Sequence, residues 1–270
     1  MKTRNLLVLL SIVLFFIGCN KTRTSVDKME FEEFKISHTK FYEDNPKYAN
    51  YKFDISIQLP KCLEDTVACR LRKTIIESLF NVNMDTTDLG TSVNLYMLEK
   101  TDFFQEPGVS HLKEDRGSNH MWTHLNSNFV YIDKTLCSYI INEEYYTGGA
   151  HPNKLKYYFV YDFTLGKKLN TEDIFIPNIK DNLSLKEILL NQMMKQEKAK
   201  QISDLNLFDV ESSKDFIISP IVYFDSVNLI FSYGDYDIRA YVYGPTEIKV
   251  PIKEAKQFLR EDFKKRHYAE

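Results

Sequence analysis

His151 lies in Gly148-Gly149-Ala150-His151-Pro152, a place where an imidazole has three possible uses. It can hold a tight turn by bonding backbone carbonyls, form part of an exposed contact patch with Tyr145 and Tyr146, or act as a general base. The two glycines tolerate positive φ and Pro152 fixes φ, which suits a sharp reversal. No Gly-x-Ser-x-Gly elbow supplies a nucleophile for His151. Asp235 and Asp237 stand two residues apart beside Tyr233, Tyr236 and Tyr241. On a regular strand the carboxylates would share a face at ~6.6 Å, a spacing that superficially suits a glycosidase pair. Gly234 points instead to a bend with solvated carboxylates, and the tyrosines to a contact surface for glycan or protein. No residue is assigned a catalytic role. His120 and His124 would be ~13 Å apart on a strand, too far to share one ion, and His111 joins them only through loop folding, so neither metal nor cofactor is expected. No phosphate loop or dinucleotide fingerprint occurs.

The elements that must position these residues follow from periodicity. Glu30 to Phe41 alternates, and so does Tyr51 to Leu59, where Tyr51, Phe53, Ile55, Ile57 and Leu59 face one way. From Asp65 to Phe80 the period changes to a helical stripe of Val67, Leu71, Ile75, Leu79 and Phe80. A second helix is expected over Leu89 to Phe104 and a loop from Pro107 to Gly117. Strand character returns at Trp122 to Ile132, Thr135 to Tyr146 and Lys154 to Phe163. Asn170 offers an N-cap, Ser184 to Lys200 reads as an amphipathic helix, and Ser203 to Ser219 as irregular. Ile221 to Phe224, Val227 to Tyr233 and Arg239 to Val250 read as strands, and Pro251 opens a final helix to about Lys265. Helices and strands cluster rather than alternate, so the expected class is α+β, antiparallel sheets with packed helices in two α/β halves, residues 29–150 and 151–270.

The chain's address is written at its start. Met1-Lys2-Thr3-Arg4 is basic, and Leu6 to Gly18 carries no charge. That stretch reaches ~20 Å, short of the ~30 Å hydrocarbon core, and reads as a signal peptide over residues 1–18. Phe16-Ile17-Gly18-Cys19 is similar to the lipobox of bacterial lipoproteins, which implies cleavage before Cys19 and acylation of it, followed by a tether over residues 19–28. Without residues 1–18, which contain Lys2 and Arg4, the net charge passes from −3 to −5. An acidic chain without basic clusters gives no reason to expect nucleic acid. The tether lacks an acidic export run, so a periplasm-facing membrane anchor in the bacterial envelope is expected. Outside the cytoplasm Cys62 and Cys69, at a strand-to-helix junction, are candidates for a bridge, whereas Cys137 lies in an apolar strand pattern and reads as a buried thiol.

Two stretches carry a resemblance. One is Tyr145 to Asn153, followed by Asp162-Phe163-Thr164-Leu165-Gly166-Lys167-Lys168-Leu169 and Asp173-Ile174-Phe175. The other is Ile230 to Ile238, then Ala240-Tyr241-Val242-Tyr243-Gly244-Pro245 and Ile248 to Pro251. Together they resemble domain of unknown function 3298 with its 4163-type N-terminal companion, as in the extracellular part of the lysozyme-sensing anti-sigma factor RsiV and the N-terminal part of the deacetylase PdaC. Arg239 departs from the small residue or proline usual there. Only Met1 to Asn5 precedes the apolar run that ends in the lipobox and the chain stops at Glu270, so neither sigma-factor inhibition nor deacetylation is expected to carry over. The resemblance implies an envelope-exposed, non-enzymatic recognition module for a lysozyme-like protein or for peptidoglycan. The alternatives are a peptidoglycan- or carbohydrate-active hydrolase and a structural assembly lipoprotein.

Overall fold

The strict alternation of residues 51–59 belongs to a strand with one face fully buried. A computed structural model describes residues 26, 29–62, 67–80, 88–105, 120–148 and 151–268. The expected signal peptide, Cys19, most of the tether, His111 and Gly149 lie outside the described residues. β1 (Phe31–Phe41) pairs antiparallel with β2 (Asn50–Pro60). In β2, Tyr51, Phe53, Ile55, Ile57 and Leu59 are at most 2% exposed. Lys52, Asp54, Ser56 and Gln58 take the other face.

Against the apolar face lie α1 (Val67–Phe80), through buried Leu71, Ile75, Ile76 and Phe80, and α2 (Leu89–Lys100). Burying each such apolar side chain contributes roughly 1.5–3 kcal/mol. Asp88 caps α2 by accepting the Thr91 N–H at 2.9 Å. A disulfide joins Cys62 and Cys69 at the entrance to α1, with the Cα atoms 4.7 Å apart.

β3 (His120–Ile132), β4 (Leu136–Tyr146), β5 (Asn153–Asp162) and the short β6 (Lys167–Lys168) complete a sheet ordered β1-β2-β3-β4-β5-β6. The sheets are antiparallel, as expected, except at one pair: β2 and β3 are parallel. Parallel neighbours require a crossover, and the chain between them contains α1 and α2. A bulge between Phe129 and Tyr131 shifts the β3 register, so that Phe129 packs with the helix-side core and Tyr131 with the opposite one.

The second layer begins with α3 (Thr171–Ile174), where Asn170 and Asp173 form a capping box. After α4 (Leu183–Glu197) come β7 (Val222–Phe224), β8 (Asn228–Tyr233) and β9 (Thr246–Pro251), an antiparallel three-stranded sheet. The strand expected over Arg239 to Val250 is thus confined to its end. Gly244, at φ 66° and ψ −174°, breaks the ladder, and Tyr241–Tyr243 coil into a 3-10 turn. The single final helix is also corrected, to α5 (Ile252–Ala255), a 3-10 turn at Lys256–Phe258 and α6 (Glu261–His267). The break at extended Leu259 lets Phe258, Leu259 and Phe263 all be buried, and Leu259 bridges to Phe175.

Two apolar cores result, and β4 and β5 line both. Cys137, Tyr139, Ile141, Phe159 and Tyr161 face α1 and α2, while Leu136 and Val160 face the β7-β8-β9 layer. The expected boundary at residue 150 falls inside the β4–β5 hairpin of one continuous sheet. The cores change over after Phe163 instead, before Leu169. Cys137 is a buried free thiol, and burial pushes its pKa far above the usual thiol range.

Candidate binding surface

The β4–β5 hairpin pairs Tyr145 with Asn153, and Gly148 takes φ +100°, a conformation that requires glycine. Beyond this turn the His151 Nδ1 lies 3.0 Å from the Pro152 carbonyl, to which it donates when it carries the proton. The imidazole stacks on Tyr241, with centroids 5.1 Å apart, and Tyr241 stacks on Tyr236 at 5.7 Å. Two segments ninety residues apart thus meet in one aromatic stack.

Tyr236 is held outward by its own backbone. It sits at φ 65°, a region that costs a bulky residue about 1–3 kcal/mol, and it is 62% exposed. Asp237 fixes this turn by accepting the Gly234 N–H at 2.6 Å while donating its own N–H to the Gly234 carbonyl at 3.3 Å. A Cβ on residue 234 would come 3.3 Å from the Asp237 carboxylate, so glycine permits the approach. Next to the stack, Val242 is 83% exposed, and Tyr243 lies under the Arg239 guanidinium at 5.1 Å. Arg239 is itself buried. It donates to Glu197 of α4 at 2.6 Å and to Thr246 Oγ1 at 2.9 Å, pinning the segment that carries Tyr241.

The remaining residues singled out in the sequence are placed differently. Tyr233 is 2% exposed, and its hydroxyl donates to the Ile217 carbonyl at 2.9 Å, so it belongs to the core rather than to a contact surface. Asp235 and Asp237 stand in a turn after β8, where the strand spacing of a glycosidase pair does not apply. Asp235 Oδ1 is buried without a hydrogen-bond partner among the described residues.

Tyr145 and Tyr146 do not form one patch, because neighbours on a strand point to opposite faces. Tyr145 lies on the α2 side, 5.0 Å from the Lys100 ammonium. Lys100 is paired with Glu143 at 2.6 Å, and Glu143 also accepts from the Tyr96 hydroxyl at 2.8 Å. Burial works against the Lys100 charge, but bonding to Glu143 outweighs it and leaves the pKa above the usual lysine range. Burial, then the charge of Glu143, drives the Tyr96 phenol far above its ordinary value. Tyr146 stacks on Trp122 of β3 at 6.4 Å, and Trp122 on His124 at 4.4 Å. The remaining histidines weighed as ligands have other partners: His124 lies 3.5 Å from Asp54, and His120 Nδ1 is 2.7 Å from Asn50.

Residues 172–253 carry a domain of the family described as "Protein of unknown function (DUF3298)". That range includes Tyr233 to Tyr241 but not the hairpin with His151. The fold is similar to the crystal structure of a DUF3298 family member from Bacteroides fragilis NCTC 9343, with a TM-score of 0.73, 22% identity, and coverage of 88% of this chain and 96% of that one. A DUF3298 family protein from Pseudomonas aeruginosa PAO1 is similar with a TM-score of 0.61, 17% identity, and coverage of 87% and 96%. At these identities the likeness establishes the α+β architecture. No curated protein matches the chain.

Proposed function

We propose that the chain is a non-enzymatic recognition module of the bacterial envelope, held at the membrane by lipid on Cys19 and facing the periplasm. The stack of His151, Tyr241 and Tyr236 carries this reading, because it joins two distant motifs in one exposed, rigidly supported aromatic patch. Rigid tyrosines flanked by exposed aliphatic surface favour contact with another macromolecule, since they offer large area at little entropic cost. The resemblance of the two motifs to the RsiV and PdaC modules makes a lysozyme-like protein the first partner to test and peptidoglycan the second. Two acyl chains on Cys19 would make the anchorage stable where one would be marginal.

Capture of lysozyme and of purified sacculi by the wild type, compared with Tyr236→Ala/Tyr241→Ala, tests the reading. Retention of at least one ligand by the wild type and its loss in the variant is expected. Binding of neither, across salt and pH, refutes it. Separately, Cys19→Ser should move the protein from the membrane to the soluble fraction.

A further inference from the structure

The face of the six-stranded sheet opposite α1 and α2 is only half covered. Leu136, Val160 and Tyr158 on this face meet the second layer, where Tyr158 stacks on Tyr223 at 4.1 Å and donates to Glu247 at 2.6 Å. Toward the other ends of β3 and β4 the same face carries Trp122, His124 and Asn126, opposite Tyr146, Glu144 and Asn142 in the strand register. There His124 and Asn126 are exposed, and Trp122 and Tyr146 belong to neither apolar core. We infer that this open half-face is a binding shelf for an uncharged polysaccharide, a surface separate from the aromatic patch and independent of the proposed function.

Three observations point to that chemistry. First, the charges on the shelf are already balanced within the protein. Lys52 pairs with Asp54 at 2.8 Å, Lys35 with Glu33 at 2.8 Å, Lys154 with Glu144 at 3.4 Å and Lys156 with Glu247 at 3.7 Å. A face without a surplus of either sign offers no steering to an ionic ligand and suits a neutral one. Second, Asn126 and Asn142 stand directly opposite each other, and neither side chain has a hydrogen-bond partner among the described residues. Each amide presents donors and an acceptor together, matching neighbouring hydroxyls, which also donate and accept. Third, a groove of about 450 Å³ runs beside them over Ser56, Gln58, Asn126 and Asn128, rimmed by Glu33 and Phe31. From Trp122 to Asn128 the strand advances ~20 Å, room for a run of several sugars with the Trp122 and Tyr146 rings as an apolar flank.

The chain contains one tryptophan, Trp122, so the shelf reports on itself by fluorescence. Titration with cellohexaose, chitohexaose, laminarihexaose and maltohexaose, with oligogalacturonate as the anionic comparator, should give a saturable change with at least one neutral hexaose. That change should be insensitive to salt. Asn126→Ala/Asn142→Ala should weaken the affinity by about tenfold or more, because paired hydrogen bonds are lost, while melting at the wild-type temperature. Tyr236→Ala/Tyr241→Ala should leave it unchanged, which separates this proposal from the function assigned to the patch. No response to any neutral hexaose at millimolar concentration, a response to the oligogalacturonate alone, or equal affinity in the asparagine variant overturns the inference.

Discussion

Replacing Asp162 by asparagine removes one negative charge at the place where the end of β5 is tied to α6. The carboxylate has no exposed surface and accepts four hydrogen bonds. Two come from the Thr164 and Leu165 N–H groups at 2.7 and 2.9 Å, and two from Arg266 Nε and His267 Nε2 at 2.9 and 3.0 Å. Asparagine can serve one of these donor pairs with its oxygen, but it turns an NH₂ group toward the other, donor against donor. Removing one member of a buried ion pair costs about 3–5 kcal/mol. Arg266 is 18% exposed and keeps Asp262 at 3.1 Å, so the lower end, about 3 kcal/mol, applies. For a domain of this size that is a fall in Tm of roughly 6–12 °C.

The pH dependence supplies a second reading of the same site. Burial alone would raise the Asp162 pKa, but the bonds from His267, Leu165 and Arg266 prevail and hold it below the usual aspartate value. A carboxyl whose pKa is depressed by folding stabilises the protein above its unfolded value, near 3.9, and that stability is lost as pH falls through the folded one. The gap in Tm between wild type and variant should therefore be full at pH 6 and narrow toward pH 3. Differential scanning calorimetry at several pH values measures both effects. A variant melting within about 2 °C of the wild type at pH 6, or a gap that widens in acid, would refute the reasoning.

Other perturbations give sharp expectations. Cys62→Ser/Cys69→Ser opens a loop with a sequence separation of 7, which on the chain-entropy account costs about 2.5 kcal/mol in urea unfolding. Cys137 should resist iodoacetamide in the native state and be alkylated at a rate that follows unfolding, since its thiol is buried and its pKa raised. Tyr236→Gly removes an exposed ring but relieves a positive φ, so thermal melting should stay within about 2 °C of the wild type or rise, while ligand capture by the patch is lost.

The parts of the fold governed by local period were legible in the sequence. β2 and α1 stand where alternation and the helical stripe put them, and the Asn170 cap, the turn at Gly148 and the buried Cys137 follow from residue type. Long-range pairing was not legible. Tyr241 and Tyr243 alternate like strand residues, but the conformation of Gly244 turns them into a coil. The parallel β2–β3 pair is a property of the crossover, not of either strand. For the candidate site, both motifs were visible, while the contact between His151 and Tyr241 was not. Alternation alone could have separated Tyr145 from Tyr146. Asn126 and Asn142 carried no signal at all, because register decides which residue of β4 faces which residue of β3.

The shared strands limit how this protein can be taken apart. The stretch matching the DUF3298 family lacks β4 and β5. Expressed by itself it would lose the ring beneath Tyr223 and the Ser138 hydroxyl that receives the Phe224 N–H at 2.9 Å. Such a piece would present a raw greasy underside to water and clump, so its smallest self-sufficient form must borrow from the N-terminal sequence. Recombination that swapped this segment alone between relatives would have to bring the hairpin with it.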